Sequence, residues 1–341
     1  TSHKFTFLLK CKALIIFIIF KKKFLYIIFI KHNYVILFAM NIINNIIIKT
    51  IPLLPKKVVK LIADNYVAGI KPQDVLDKTR FLNNKDYEVT IDLLGEHTSD
   101  KNTVNKITET YLNLLKSVKE QDLIANISVK PTHIGLDIDL NTFSTNAEKL
   151  VLYALKNDNF IRFDMENSST TDNTINIIKE LNKKYENMGT VFQAYLKRTY
   201  SDLSYFLNDK TNFRLCKGIY NESPGVAYKE YIDINKNYLK IVELAFKRNS
   251  YICFATHDLF LIDEIYKLID KYNVSKNKFE FQVLYGVPMK GWLQKHLKNN
   301  YKVRVYLPYG PEWYEYSIRR LKENPNIAKH VAKSIFSNRK Y

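Results

Sequence analysis

Glycine and arginine are both scarce in this 341-residue chain, nine of each, and it has only three cysteines and two tryptophans. No two glycines are separated by a single residue, so the GxGxxG turn of a dinucleotide-binding βαβ unit is absent. Cys11, Cys216 and Cys253 make no even set and no CxxC, so a disulfide framework is not expected and a reducing cytoplasm is the simplest compartment. The seven histidines show neither HExxH nor paired spacing, so no metal is expected. Long apolar runs are missing too. "ALIIFIIF" (13–20) and "FLYIIFI" (24–30) are separated by Lys21, Lys22 and Lys23, and neither reaches the roughly 20 residues of a membrane span. No acidic residue precedes Asp64, and the first Met is Met40. Residues 1–39 lack the small-residue cleavage site of a secretory signal and the arginines of a transit peptide. They read as a non-native leader translated from upstream sequence; a disordered or membrane-associating segment is the other reading.

The net charge of +18 raises the question of nucleic acid. Its lysines are scattered in ones and twos, without an RNP-like aromatic motif or zinc-finger spacing, so no nucleic-acid partner is expected. With 46% apolar residues, the chain can bury a large core. Residues 40–86 read as a helical segment broken by Pro52, Pro55, Gly69 and Pro72. From 87 to 341 the pattern becomes regular. Eight β-like runs, "YEVTIDLLGE" (87–96), "NISVKPTHIG" (126–135), "FIRFDMEN" (160–167), "TVFQAYL" (190–196), "FRLCKGIY" (213–220), "YICFATHD" (251–258), "FEFQVLYG" (279–286) and "KVRVYLPYG" (302–310), mostly precede amphipathic helical stretches. Strands alternating with helices mean parallel βαβ units, and eight of them fit an α/β (β/α)8 TIM barrel with short N-terminal helices better than a doubly wound sheet.

In such a barrel the chemistry sits at the C-terminal ends of the strands. Lys130, Asp164, Gln193, Lys217, Thr256, His257 and Tyr306 fall late in their runs, with Arg214 earlier in its own. Arg319 and Arg320 stand side by side, although only about 0.2 such pairs are expected at this arginine frequency. On a helix opened by Gly310 and Pro311, Tyr316, Arg319, Arg320 and Glu323 share one face at i, i+3, i+4 and i+7. A solvated face with weak ion pairs would be met by lysine in this lysine-rich chain. Paired guanidinium groups supply a planar, bidentate hold on a carboxylate that lysine cannot.

Together, "TIDLLGE", "NISVK", "FIRFDMENSS", "VFQAYLKR", "FRLCKGIY", "FATHD", "FEFQVLYG", "VRVYLPYG" and "YSIRRLKEN" resemble the proline dehydrogenase family, in order and with family-like spacing over residues 88–324. The resemblance implies a distorted (β/α)8 barrel whose last helix lies over the strand ends. It implies FAD-dependent oxidation of L-proline to 1-pyrroline-5-carboxylate, the first step of proline catabolism. A hydride would leave proline C5 for flavin N5 and the electrons would pass to a quinone. The chain is too short for the aldehyde dehydrogenase module of the bifunctional relatives, so a separate 1-pyrroline-5-carboxylate dehydrogenase is the implied functional partner. A cytoplasmic protein with peripheral contact at the inner face of the membrane would reach the quinone pool.

The resemblance assigns Arg319, Arg320 and Lys130 to the substrate carboxylate, with Glu323 able to brace either guanidinium. It places Arg214 near flavin N5 and Asp164 as the acid that balances the cations, lowered in pKa and ionised. Met165, Gln193, Lys217, Gly218, Ile219, Thr256 and His257 match cofactor positions. Tyr220, Leu284, Tyr306 and Tyr316 are expected around the proline ring and its clamp. Two positions depart from the family pattern: Ile219 replaces a common Ala, and Cys216 a common Val, the latter read as buried and inert. A rival on the same barrel is a Schiff-base lyase or aldolase using Lys130 or Lys217.

Overall fold

Period-two alternation is clearest in "NISVK", "IRFD" and "FEFQV", and in a parallel barrel that pattern has a specific consequence. One face of every strand packs on helices, and the other points into the ring. The computed structural model describes residues 56–323. Residues 1–39 lie outside them. Ala63–Tyr316 form one compact unit; residues 56–62 and 317–323 belong to another.

The larger unit is a closed, all-parallel barrel in the order β1 to β8. Its strands are β1 (Glu88–Leu93), β2 (Ala125–Val129), β3 (Ile161–Phe163), β4 (Met188–Gln193), β5 (Asn212–Cys216), β6 (Tyr251–Ala255), β7 (Phe279–Leu284) and β8 (Val303–Tyr309). The seam pairs β1 with β8, from Glu88 opposite Arg304 to Leu93 opposite Tyr309. Helix α1 (Lys56–Ala63) and helix α2 (Pro72–Asn83) precede the first strand. Helices α3 (Lys101–Glu120), α4 (Leu140–Lys156), α5 (Thr171–Asn182), α6 (Thr199–Phe206), α7 (Tyr231–Lys247), α8 (Leu259–Tyr272) and α9 (Trp292–Lys298) follow β1 to β7 in turn. Helix α10 (Trp313–Glu323) follows β8. Aspartates open several of them: Asp100 and Asp139 each accept a backbone N–H of α3 and α4 at 2.7 Å, and Asp258 does so for α8 at 3.0 Å.

The apolar core lies between strands and helices. Val89, Ile91, Ile127, Val129, Phe163, Phe213, Phe254, Phe281 and Leu307 all belong to one buried cluster with helix residues such as Leu115, Leu150, Ile241 and Ile265. The interior of the ring is polar instead. Thr90 bonds to Asn126 at 2.6 Å. Arg162 reaches from β3 to the carbonyls of Thr190 and Asn212 and, at 3.4 Å, to Cys253 Sγ on β6. Gly189 makes that possible: a Cβ there would lie 2.1 Å from Asn212 O and 2.6 Å from Arg162 Nη1. At the N-terminal pole Arg304 holds Glu280 at 2.8 Å and also Glu88. A cavity of about 580 Å³ opens there, lined in part by Glu88, Arg162, Asn212, Glu280 and Arg304. Arg304 is spent on Glu88 and Glu280 and Arg162 on backbone carbonyls and Asn212, and this pole of such barrels serves stability.

Each strand ends before its sequence run does. β2 stops at Val129 because Pro131 opens a 3-10 turn, Pro131–Ile134. β3 stops at Phe163. The last helix begins at Trp313, not at the expected Gly310–Pro311 cap. Gly310 takes φ +132° and donates to Gly69 O at 3.0 Å, so it ends the strand, and Glu312 O accepts the first helical bond, from Tyr316 N.

Two buried histidines set an acid sensitivity. Burial, reinforced by Lys130, pushes the His133 imidazole down to about 3, and burial with Lys295 pushes His296 down to about 4. Tyr111 Oη bonds to His133 Nδ1 at 3.1 Å, and His296 stacks on Phe281 with centroids 3.8 Å apart. An unfolded histidine takes its proton near pH 6.5, so the stability these rings contribute is full above that value. It is lost as pH falls towards their folded values. Between pH 7 and 5 each is expected to cost on the order of 2 kcal/mol. Urea unfolding at both pH values checks this, with about half the loss removed by His296→Phe; equal stability at pH 7 and 5 would refute it.

Candidate active site

Four ionisable side chains meet inside the C-terminal mouth. Asp92 comes from β1, Lys130 and Asp164 stand one residue past β2 and β3, and Arg214 lies mid-β5. Lys130 Nζ is 2.7 Å from Asp92 Oδ1 and 3.8 Å from Asp164 Oδ2. Arg214 Nη1 donates to Asp164 Oδ1 at 2.8 Å. Asp164 also accepts from Ser128 Oγ at 2.6 Å and from Tyr306 Oη at 2.9 Å. Arg214 lies 4.9 Å from the Tyr306 ring centroid, against its face.

Their side chains are 2–12% exposed. Burial alone would raise the Asp164 carboxyl, but Arg214 and Lys130, with the Ser128 and Tyr306 hydrogen bonds, hold it below the usual carboxylate range. Burial opposes the charge on Lys130 and Arg214 as well. The Asp92 and Asp164 carboxylates outweigh it for Lys130, and Asp164 does so for Arg214, so both cations are held above their ordinary values. Burial, followed by the Asp164 charge, raises Tyr306 far above 10, leaving its phenol a donor. Asp164 is therefore an ionised, orienting group.

A second cluster lies beside it at the mouth. Lys217, just past β5, is 2.5 Å from Asp258 Oδ2 and 4.3 Å from the Tyr231 ring centroid. Asn235 adds a bond to Asp258 at 3.0 Å. Burial would raise Asp258, but Lys217, Tyr231 and Asn235 pull it down to about 2. Gly218 takes φ +113°, and a Cβ there would lie 2.1 Å from the Tyr195 ring. Gln193 Nε2 donates to Glu166 O at 2.8 Å. Thr256 Oγ1 accepts from Asp258 N, and His257 Nε2 accepts from Leu284 N at 2.9 Å, which puts the imidazole proton on Nδ1. Met165 is buried, Leu284 and Tyr220 are half-buried, and Ile219 is 51% exposed. Cys216 is half-buried, not buried as expected; desolvation of its thiol still pushes it up to about 12, which makes it a poor nucleophile.

Tyr316 packs with Ala63, Val67, Leu94 and Trp313. Arg319 and Arg320 lie on α10, within the chain's other compact unit. The mouth of the barrel itself is built from residues 63–316.

Asp92, Ser128, Gln282 and Asp258 were not singled out from the sequence. A lone acid inside "VTIDLL" and a lone Gln inside "FEFQVL" were the available signals. Both share the polar phase that points into the ring. Lys130 and Lys217 are each ion-paired, and Lys130 is raised. A Schiff-base lysine must be lowered to act as an amine nucleophile, so the lyase reading is set aside.

A closed parallel barrel with buried, ion-paired side chains at its C-terminal mouth defines a (β/α)8 enzyme scaffold. The family model described as proline dehydrogenase matches residues 75–333. Proline dehydrogenase 2 of Bacillus subtilis is 36% identical over 270 residues, covering 79% of this chain and 89% of that protein. Proline dehydrogenase of Deinococcus radiodurans is 31% identical over 280 residues, covering 80% and 90%. The chain belongs to the proline dehydrogenase family. Its fold is similar to that of proline utilization A from Bdellovibrio bacteriovorus inactivated by N-propargylglycine, with a TM-score of 0.72 and 23% identity over 77% of this chain and 32% of that one.

Proposed function

We propose that this protein oxidises L-proline to 1-pyrroline-5-carboxylate with FAD as its bound flavin, passes the electrons to a quinone, and has a 1-pyrroline-5-carboxylate dehydrogenase as its functional partner. Family membership gives the reaction class, oxidation of the CH–NH group of proline in proline catabolism. The observation that carries the assignment to the barrel mouth is Arg214. Its Nε and Nη1 are engaged, while Nη2 is buried and has no partner among the described residues. A buried donor of this kind fits a flavin, which offers ring nitrogens and carbonyls as acceptors. Gly218, whose backbone can approach closely, and Lys217, Gln193, Met165, Ile219, Thr256 and His257 would hold the rest of it. Bound there, the flavin supplies the two-electron acceptor.

The protein's own part is binding, orientation and exclusion of water. Lys130 and Arg214 are balanced by Asp92 and Asp164, so the buried cluster is formally neutral. Arg319, Arg320 and Lys130 would take the substrate carboxylate. Tyr306, Leu284 and Tyr220 would hold the ring, and Glu323 would brace the guanidinium pair. Asp164, ionised and saturated with donors, keeps Arg214 and Tyr306 in place. Among the described residues no helix is long and apolar enough to cross a membrane, and the proposed route to the quinone is peripheral contact from the cytoplasm.

Purified protein is expected to be yellow, with a flavin band that bleaches anaerobically on addition of L-proline and returns with a soluble quinone. A colourless protein that traps substrate under borohydride would overturn this reading.

A further inference from the structure

Arg214 is held from behind by a chain of side chains that crosses the barrel interior towards the opposite pole. Its Nε donates to Gln282 Oε1 at 2.6 Å. Gln282 Nε2 donates to Glu280 Oε1 at 2.5 Å, and Arg304 Nε donates to the same oxygen at 2.8 Å. Arg214, Gln282 and Glu280 are 6%, 3% and 2% exposed.

The order of donors and acceptors along this chain is fixed. Burial would raise the Glu280 carboxyl, but Arg304 and the Gln282 hydrogen bond bring it down to about 2. Glu280 is therefore a carboxylate that can only accept, and Gln282 must turn its NH2 towards it. The carbonyl oxygen then faces Arg214 Nε. An amide is the side chain that can satisfy an acceptor on one side and a donor on the other.

We propose that Gln282 is a positioning residue for proline oxidation, acting through Arg214. With Nε pinned by Gln282, and Nη1 pinned by Asp164 and Ser128, rotation of the guanidinium plane is locked and the direction of Nη2 is set. This rests on the reading that Nη2 serves the bound flavin. Without Gln282, Arg214 is held through Asp164 and Ser128 alone and can turn about its Cδ–Nε bond. A group misplaced by about 1 Å can cost on the order of 100-fold in rate.

Gln282→Met keeps the volume and removes the acceptor. In the flavin-loaded enzyme it should lower kcat about 10- to 100-fold, with KM for proline within about threefold and flavin content unchanged. The flavin reduction potential should fall, because a cation that stabilises the reduced form is no longer fixed beside it. Arg214→Lys removes Nε altogether, so adding Gln282→Met to it should cost no more than about twofold further. Should Gln282→Met fail to fold, Gln282→Asn keeps the amide but withdraws it from Nε, and the same losses are expected. Unchanged kcat and potential in the folded variant, or additive losses in the Arg214→Lys background, would overturn the proposal. The unmutated enzyme separates the two levels: no flavin or no turnover there defeats the function itself, whereas normal turnover with flat variants defeats Gln282 alone.

Discussion

Arg319→Met and Arg320→Met are each expected to lose roughly 30- to 1000-fold in kcat/KM for L-proline, chiefly through KM, while flavin content is retained. A charge-assisted, bidentate contact to a carboxylate in a water-poor site is worth on the order of 2–4 kcal/mol. Lysine at either position should recover only part, since one ammonium cannot reproduce the planar fork. Inhibition by tetrahydrofuran-2-carboxylate, which shares the ring and carboxylate but not the amine, should weaken in parallel. Near-normal KM in both Met variants would show that the pair belongs to a solvated face.

Lys130→Met should instead be a stability lesion. It strands Asp92, whose side chain is 2% exposed and whose ion-pair partner is Lys130. Removing one member of a buried pair costs roughly 3–5 kcal/mol, or about 10 °C in Tm for a domain of this size. Burial and the Asp164 charge already raise the Asp92 carboxyl, and without Lys130 it should take up a proton on folding. The loss should therefore grow as pH rises, because the unfolded carboxyl is ionised there. Lys130→Met with Asp92→Asn should recover most of the stability and little of the activity. Thermal unfolding of the single and double variants across pH decides this; equal Tm for both would show that the Lys130–Asp92 pair has no such energetic role.

The eight strands were legible because β-branched and aromatic residues recur in short runs between amphipathic stretches, and parallel order follows from that alternation. Strand ends were less legible. Lys130 and Asp164 stand one residue past the ends of β2 and β3; Pro131 in "SVKP" marks the first end, but nothing in "RFDM" marks the second. Asp92 and Gln282 were missed for a different reason. Their partners lie 38 and 68 residues away, and only closure of the ring brings them together. The polar phase within each run was visible, yet polar-in and polar-out strands have the same sequence. The Arg319–Arg320 pair stood out by composition alone.

The seam of the ring has a consequence for the chain as it is made. β1 emerges from the ribosome first and cannot meet β8 until the chain has grown past residue 309. Until then β1 keeps an open edge, the kind of surface on which strands of different molecules join. Glu88 and Asp92 place two carboxylates on that edge, and an unneutralised charge disfavours pairing with a foreign strand. Arg304, on β8, neutralises Glu88 as the ring closes, and Lys130 serves Asp92. The same acids that keep the nascent edge apart from other chains thus become, once the barrel shuts, part of its polar interior.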